Sequence, residues 1–517
     1  MAIMMQIPES DPLALLEALP RRMSHVVLPW VQSSPGAPAL VEGSRTLSYA
    51  ELANAITESE AWLKSVGVRP GDRVMLLGEN SIALAVLVLA IGGIDAWPLV
   101  ANARISEREV DTIRDHSGAK LLICTSATSQ EATRHAQRLN LGNQIIPGIG
   151  LVGVSALATD VLAEPIYEES ARQVGALIYT SGTTGAPKGV MLSHRSLMFT
   201  AAVGGVLRNI KPDDHVYGVL PMSHIVGFSS VLMGTLMFGA CLELVPRFTA
   251  EASLTALKSG RITRFQGVPA MFQRLLDISA GKIDCPNLRT ISTAGAPLDL
   301  TLKQKTETAF SLPLHNGYGI TECSPTISFT RLNDPRIDTT VGQVIPGVVA
   351  KLVGQDGEEV RPGEVGELHV KGPNVMLGYY QSSEQTAAVL DPNGWFNTGD
   401  LARFDGEYLH IAGRTKELII RSGFNVYPPE VEAVISTHPA VAACAVVGRK
   451  VTGNEEVVAF IQLRAGQAAT SEQIAMHLQQ QLAPYKRPTE IRIKDVLPAT
   501  TAGKILKHEL AKEAAQS

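Results

Sequence analysis

Short apolar runs alternate with helical patterns through the first 170 residues, and this alternation confines the chain to a small set of folds. Residues 74–77 read as a strand, 81–91 as a helix, 95–100 as a strand, 106–116 as a helix with Ser106 as its N-cap, and 119–124 as a further strand. Strands joined by helical crossovers pair in parallel, and parallel sheets are covered on both faces. A chain of 517 residues exceeds one ordinary core, so several domains are expected. Residues 144–162 have weak periodicity and are expected to connect two α/β halves. From about Asp338 short β-like runs appear at 348–352 and 367–370, with turns at Gln355-Asp356-Gly357 and Arg361-Pro362-Gly363. Beyond Gly413 the pattern changes again, to a small α+β unit. The expected architecture is α/β. An N-terminal domain over 1–413 holds two α/β sheet halves and a small β-rich subdomain, a small α+β domain covers 418–517, and the connection 414–417 is so short that any hinge motion that makes the small domain mobile must pivot there.

Composition narrows the class. With 45% apolar and 18% charged residues the chain is a folded protein and not a disordered one. A net charge of −5 without a long basic run argues against nucleic acid as a partner. Cys124, Cys241, Cys285, Cys323 and Cys444 are scattered without metal-ligand spacing, which fits a reducing cytoplasm better than a disulfide framework or a zinc site. The opening MAIMMQIPESDP lacks a basic segment followed by an apolar one, so no signal peptide is expected. The longest apolar run, 82–94, ends at Asp95 and falls short of the roughly 18 residues of a membrane span. It reads as a buried helix, with peripheral membrane contact open if the substrate is a lipid.

The densest chemical signal is YTSGTTGAPKG over 179–189, directly after an apolar strand at 174–179. Glycines and hydroxyls fill Thr180, Ser181, Gly182, Thr183, Thr184 and Gly185, and Lys188 follows. Such a loop can turn backbone N–H groups inward and add hydroxyls and one ammonium, the donor set a polyphosphate requires. It is neither a Walker A loop, because Pro187 precedes Lys188 and Gly189 follows it, nor a dinucleotide G-x-G-x-x-G turn.

Three further strings follow in order. Asn316-Gly317-Tyr318-Gly319-Ile320-Thr321-Glu322 offers a planar ring between glycines, a hydroxyl, and a hard oxygen suited to Mg²⁺. Thr398-Gly399-Asp400 supplies a carboxylate after glycine, and Pro498-Ala499-Thr500-Thr501-Ala502-Gly503-Lys504 places a lysine after glycine near the C-terminus. Together with the first loop they resemble the signatures of the adenylate-forming superfamily, in its acyl- and aryl-CoA ligase branch, from about residue 25 to 512.

That resemblance implies roles for particular residues. The loop from Thr180 to Gly185 with Lys188 holds the ATP phosphates. Tyr318 stacks on adenine, Asn316 bonds its edge, Gly317 and Gly319 flank it, and Gly295-Ala296-Pro297 form the other wall. Asp400 takes the ribose hydroxyls, Arg414 reaches ribose and phosphate, Thr321 meets phosphate, and Glu322 holds the metal. Lys504 enters the active site from the small domain and contacts the carboxylate and the α-phosphate. Lys416 matches the hinge residue. Ser422, Gly423 and Phe424 line the pantetheine tunnel. Pro498 with Gly503-Lys504 also resembles the pattern by which bacterial lysine acetyltransferases silence such enzymes.

The implied activity is an ATP- and Mg²⁺-dependent carboxylic acid–CoA ligase that forms acyl-AMP and then acyl-CoA. No G-x-S-x-G elbow supplies a covalent nucleophile. The segment PMSHIVGF over 221–228 resembles the acid-pocket segment, with His224 as gate and catalytic-site histidine. Ile225, Val226, Phe228, Val268 and Ile327 would make an apolar acyl pocket. No charged residue in these segments is placed for a second carboxylate, which favours an apolar monoacid. KGPNVMLGYY and SGFNVYPPEVE look like fatty acyl-CoA ligases, while HIVGF looks closer to aryl-acid ligases, so a fatty acid and a benzoate or cinnamate both stay open. The alternative function is a stand-alone adenylation enzyme that loads an acyl carrier protein. A luciferase-type oxygenase and a non-catalytic ATP binder rank below both. A homodimer is compatible with the sequence.

Overall fold

The computed structural model describes residues 11–180, 188–279, 281–421, 424–451, 454–499 and 505–516. Among these, two large sheets organise the chain before Thr415. In the first, Arg73–Gly78 lies between Trp97–Asn102 and Leu121–Cys124 and pairs in parallel with both. All residues of Arg73–Gly78 and Trp97–Asn102 are buried, as a strand covered on both faces requires. The sheet continues through Val174–Thr180, Lys188–Ser193 and Gly378–Tyr379 on one side, and Gly150–Val154 and Gly142–Ile146 on the other.

Local chemistry explains the crossovers. Ser81 Oγ accepts the Leu84 N–H at 3.2 Å and opens the helix Ile82–Gly93. That helix is apolar all round because it is buried all round, in the core that joins the two sheets. No helix among the described residues is long and apolar enough to cross a membrane. Ser106 and Glu109 form a reciprocal capping box on Glu107–Ser117, which stops at Gly118 with a left-handed φ of 56°.

The second sheet has a parallel part and an antiparallel part. Pro38–Glu42, Cys241–Leu244, His215–Gly218, Arg264–Gly267, Thr290–Thr293 and Leu314–Gly319 follow one another in parallel. Thr326–Phe329 then reverses direction, and Gln343–Val344, Tyr408–Arg414, Phe396–Asp405, Gly366–Lys371 and Val349–Val353 extend the ladder. The β-rich segment is therefore a hydrogen-bonded continuation of the second sheet.

One expectation needs correction. Residues 144–162 are not a mere connection: Gly142–Ile146 and Gly150–Val154 form an antiparallel hairpin at the edge of the first sheet. Gly148 and Gly150 turn it with φ of 76° and 99°. Its Ile145 and Leu151 face solvent, which erased the apolar-in, polar-out alternation that marks a strand.

Beyond Leu418 a three-stranded sheet of Val441–Val451, Asn454–Leu463 and Glu490–Lys494 carries helices Pro428–Ser436, Ser471–Gln479 and Lys507–Ala515. It has its own buried side chains on both faces: Val446, Val457 and Ile461 on one, Val447, Val458 and Phe460 on the other.

Candidate active site

Ligand sites of parallel sheets lie beyond the carboxyl ends of the strands, and here four adjacent strands deliver the expected residues to one edge. Leu314–Gly319 ends in the Asn316–Glu322 string, and Thr290–Thr293 runs into Gly295-Ala296-Pro297. Arg264–Gly267 ends at Val268, and His215–Gly218 leads to the segment of His224. Gly295 and Pro297 are exposed and Ala296 half-buried, so this wall is open to a ligand. From the first sheet, Thr180 and Lys188 face each other in register across the hairpin of Val174–Thr180 and Lys188–Ser193. Ser181, Gly182, Thr183, Thr184 and Gly185 lie outside the described residues.

Side chains far apart in sequence meet along this edge. The Lys188 ammonium sits 4.7 Å from the centroid of the Tyr379 ring. The Tyr379 hydroxyl donates to Glu322 Oε1 at 2.8 Å. Tyr318 donates its hydroxyl to the Asp400 carboxylate, and Arg414 Nε lies 3.3 Å from the other Asp400 oxygen. Asp400 and Arg414 are cross-strand partners in the register of Phe396–Asp405 and Tyr408–Arg414, which fixes their approach. Burial and the neighbouring carboxylates push the phenols of Tyr318 and Tyr379 well above the ordinary tyrosine range, so both remain protonated donors.

The glycines act through the backbone and Asn316 through its side-chain amide. Gly317 and Gly319 pair with Phe329 and Thr326, and a Cβ on Gly319 would lie 2.0 Å from the Pro325 carbonyl oxygen. Asn316 donates its side-chain amide to the carbonyls of Thr339 and Thr340 at 3.2 Å each. Its Oδ1 remains as an acceptor, the atom an exocyclic amine requires. Thr321 and Glu322 are half-buried on the short turn Thr321–Cys323.

The acid side is built where the two sheets touch. Asn80, just past the strand Arg73–Gly78, donates to the carbonyls of Gly218 and Leu220 at 3.0 and 2.9 Å and accepts the Met222 N–H at 2.8 Å. That clamp sets the start of the segment carrying His224. His224 is solvent-accessible, yet removal from bulk water, aided by the Arg104 charge, lowers its pKa. The imidazole is therefore neutral at pH 7. Ile225, Phe228 and Ile327 are buried, while Val226 and Val268 are half-buried against the same core. Val226–Met233 is a π-helix, a form concentrated at functional sites. Gly227 permits it: a Cβ there would lie 2.2 Å from the Pro221 carbonyl oxygen. Arg104 comes from outside the expected pocket segments, and its Nε lies 3.3 Å from Glu79 Oε1, a carboxylate that Arg247 also engages.

Lys504, Ser422 and Gly423 lie outside the described residues. Around them, Ala499 pairs with Ile505, and the Leu506 N–H donates to Pro498 at 2.8 Å. Lys416 sits on the short turn Thr415–Glu417. Lys507 ties that turn to the small domain, with its ammonium 3.1 Å from Glu417 and 2.8 Å from Glu432. Phe424 is exposed and stacks on Tyr485 with centroids 4.7 Å apart.

Two contributors escaped the sequence reading, Tyr379 and Asn80. Tyr379 lay within the KGPNVMLGYY string, which pointed only to a likeness with fatty acyl-CoA ligases. Its only sequence signal was an aromatic in a short strand after glycine. No group of three or more metal-binding side chains exists among the described residues. A single carboxylate with one oxygen uncommitted among the described residues suits Mg²⁺ arriving on a triphosphate, since that ion keeps waters and takes one or two carboxylates plus phosphate oxygens.

Residues 29–380 match the AMP-binding enzyme family model, and 430–504 match the AMP-binding enzyme C-terminal domain. Feruloyl-CoA synthase of Amycolatopsis sp is 34% identical, with 92% of this chain and 96% of the relative covered. Long-chain-fatty-acid–CoA ligase of Escherichia coli is 30% identical over 92% of each chain. The o-succinylbenzoate coenzyme A synthetase MenE of Bacillus subtilis, solved with ATP and a magnesium ion, superposes with a TM-score of 0.80 at 27% identity, over 94% of this chain and 99% of that one. The chain belongs to the AMP-binding enzyme family, in the acyl- and aryl-CoA ligase branch of the adenylate-forming enzymes.

Proposed function

We propose that this ligase activates an apolar monocarboxylic acid, aliphatic or aromatic, with ATP and transfers it to CoA. The observation that supports the assignment of roles is two contact sets, Lys188–Tyr379–Glu322 and Tyr318–Asp400–Arg414, joined through the single short segment that carries Tyr318 and Glu322. A free carboxylate has a poor leaving group, so its oxygen attacks the α-phosphorus of ATP and pyrophosphate departs. CoA thiol then attacks the acyl carbon and AMP leaves. Lys188 and the Thr180–Gly185 loop hold the departing phosphates, Asp400 takes the ribose hydroxyls, and Tyr318 offers its face to adenine. Mg²⁺ bound with the nucleotide neutralises phosphate charge, and Glu322 is the residue that would hold it. Neutral His224 accepts no charge from the acid and closes the pocket over Val226 and Val268.

Lys504 supplies the cation where two anions approach in the first step. It must leave before the thiol enters, so the domain over 418–517 pivots at Lys416, within the hinge 414–417, and brings Ser422, Gly423 and Phe424 to the pantetheine path. The test is AMP release from a panel of graded aliphatic acids, benzoates and cinnamates, with CoA or holo-acyl carrier protein as acceptor. Release that needs CoA with one acid class identifies the substrate. Release that needs the carrier protein assigns the enzyme to carrier loading, and no adenylate from any member overturns the reading.

A further inference from the structure

We infer that Tyr379 is a positioning residue that holds the phosphate lysine and the metal carboxylate apart and ready, an inference that rests on the roles proposed above for Lys188 and Glu322. Tyr379 belongs to the two-residue strand Gly378–Tyr379, which adds to the outer edge of the Lys188–Ser193 strand and pairs Tyr379 with Val190. Its backbone N–H donates to Thr386 Oγ1 at 2.9 Å, and the residue is 7% exposed, so the ring has a fixed place. The ring face carries the Lys188 ammonium at 4.7 Å, and the ring edge ends in the hydroxyl that donates to Glu322 Oε1 at 2.8 Å. One side chain therefore engages two opposite charges by two different interactions.

The arrangement solves a problem of unliganded sites. An ammonium and a carboxylate that must both turn to one nucleotide would pair with each other in its absence, and that pair would have to break before ATP and metal could bind. Tyr379 occupies the space between them. Lys188 has no ion pair among the described residues, and its contact with a neutral ring is weaker than the phosphate contact that replaces it. Glu322 keeps one oxygen on the phenol, which orients the other. The Glu322 carbonyl also accepts the Met376 N–H at 2.8 Å, so the same short segment fixes the glutamate backbone. Partners of this kind, hydrogen-bonded to a metal ligand, are worth roughly ten- to a hundredfold in metal affinity.

The test uses the full chain and two variants. Tyr379→Phe removes the hydroxyl and keeps the ring, and Tyr379→Leu removes both. Mn²⁺ binding is read by electron paramagnetic resonance in the presence of α,β-methylene-ATP, and binding of the same nucleotide without metal is read by calorimetry. Tyr379→Phe is expected to weaken Mn²⁺ about tenfold or more and to leave metal-free nucleotide affinity at the wild-type value. Tyr379→Leu is expected to weaken both. In adenylation, excess Mg²⁺ rescues Tyr379→Phe but not Tyr379→Leu. Wild-type Mn²⁺ affinity in Tyr379→Phe, or equal loss of metal and metal-free nucleotide binding in it, overturns the inference. If the wild-type chain binds no Mn²⁺ with the nucleotide, the reading of Glu322 fails first and the inference falls with it.

Discussion

Replacing Asn80 tests whether the acid pocket is set by contact between the two sheets. The side chain is 3% exposed and makes three hydrogen bonds of 2.8 to 3.0 Å, to the carbonyls of Gly218 and Leu220 and from the Met222 N–H. The Gly218 carbonyl also accepts the Val245 N–H, so truncation leaves it one partner. No second partner replaces Asn80 at Leu220 or Met222 among the described residues. At about 1 kcal/mol for each net bond, Asn80→Ala costs about 3 kcal/mol locally. Local opening should then increase about a hundredfold, read as faster hydrogen–deuterium exchange in peptides over 216–228. The Michaelis constant for the acid should rise, because the segment bearing His224 has lost its anchor, while that for ATP should hold. Asn80→Asp is the sharper variant. It keeps an acceptor for Met222 but sets a second oxygen about 3 Å from two carbonyl oxygens in a buried place, and it should be worse than alanine. Unchanged exchange in Asn80→Ala, or a milder effect from aspartate, refutes the reasoning.

Three other outcomes are expected. Lys504→Ala should lose adenylation by roughly 10²–10³-fold while still converting supplied acyl-AMP to thioester, and equal loss in both half-reactions would remove Lys504 from its role. Gly227→Ala places a methyl 2.2 Å from the Pro221 carbonyl oxygen, so the π-helix must shift and acid binding should fail before nucleotide binding does, as calorimetry with each ligand would show. His194 is fully buried, accepts the Met23 N–H on Nδ1 at 3.3 Å, and has its pKa lowered to about 3 by burial and by Arg22 and His25. The unfolded chain binds this proton first as pH falls below the ordinary histidine value of 6.5, so stability from this group is full above 6.5 and declines continuously towards 3. The decline reaches about 2 kcal/mol at pH 5, and a His194→Gln variant should show a flatter melting temperature between pH 7 and 5.

What could be read in advance followed from how local each cause was. Arg73–Gly78 and Trp97–Asn102 were legible because the middle of a strand buried on both faces must be apolar, and Ser106 announced its helix by capping chemistry within three residues. The hairpin at Gly142–Val154 was not legible, since its outer face presents Ile145 and Leu151 to solvent and its turns rest on glycines. The π-helix at Val226–Met233 has no periodic signature in so short a run, and the close approach of Pro221 that Gly227 accommodates is a tertiary contact. Glycine-rich strings marked the site because close backbone approach needs glycine whatever the rest of the fold does. Tyr379 and Asn80 depend on partners 57 and 138 to 142 residues away, and no local pattern records such contacts.

The order of charges along the site suggests why its aromatic residues are tyrosines. From one sheet to the other the sequence of groups is Lys188, Tyr379, Glu322, then Tyr318, Asp400 and Arg414. Each carboxylate meets a phenol donor, and each outer end of the row is a cation. Phenylalanine would give the same planar surface but would leave Glu322 and the buried Asp400 short of a donor, at about 1.5–3 kcal/mol for a hydrogen bond to a charged group. Beside Glu322, lysine or arginine would satisfy the carboxylate fully and would compete with the metal for the same oxygens. A neutral phenol does neither: it orients one Glu322 oxygen and leaves the negative charge for the ligand. Tyr318, from the other sheet, shares Asp400 with Arg414, so there the phenol supplements a cation already in place.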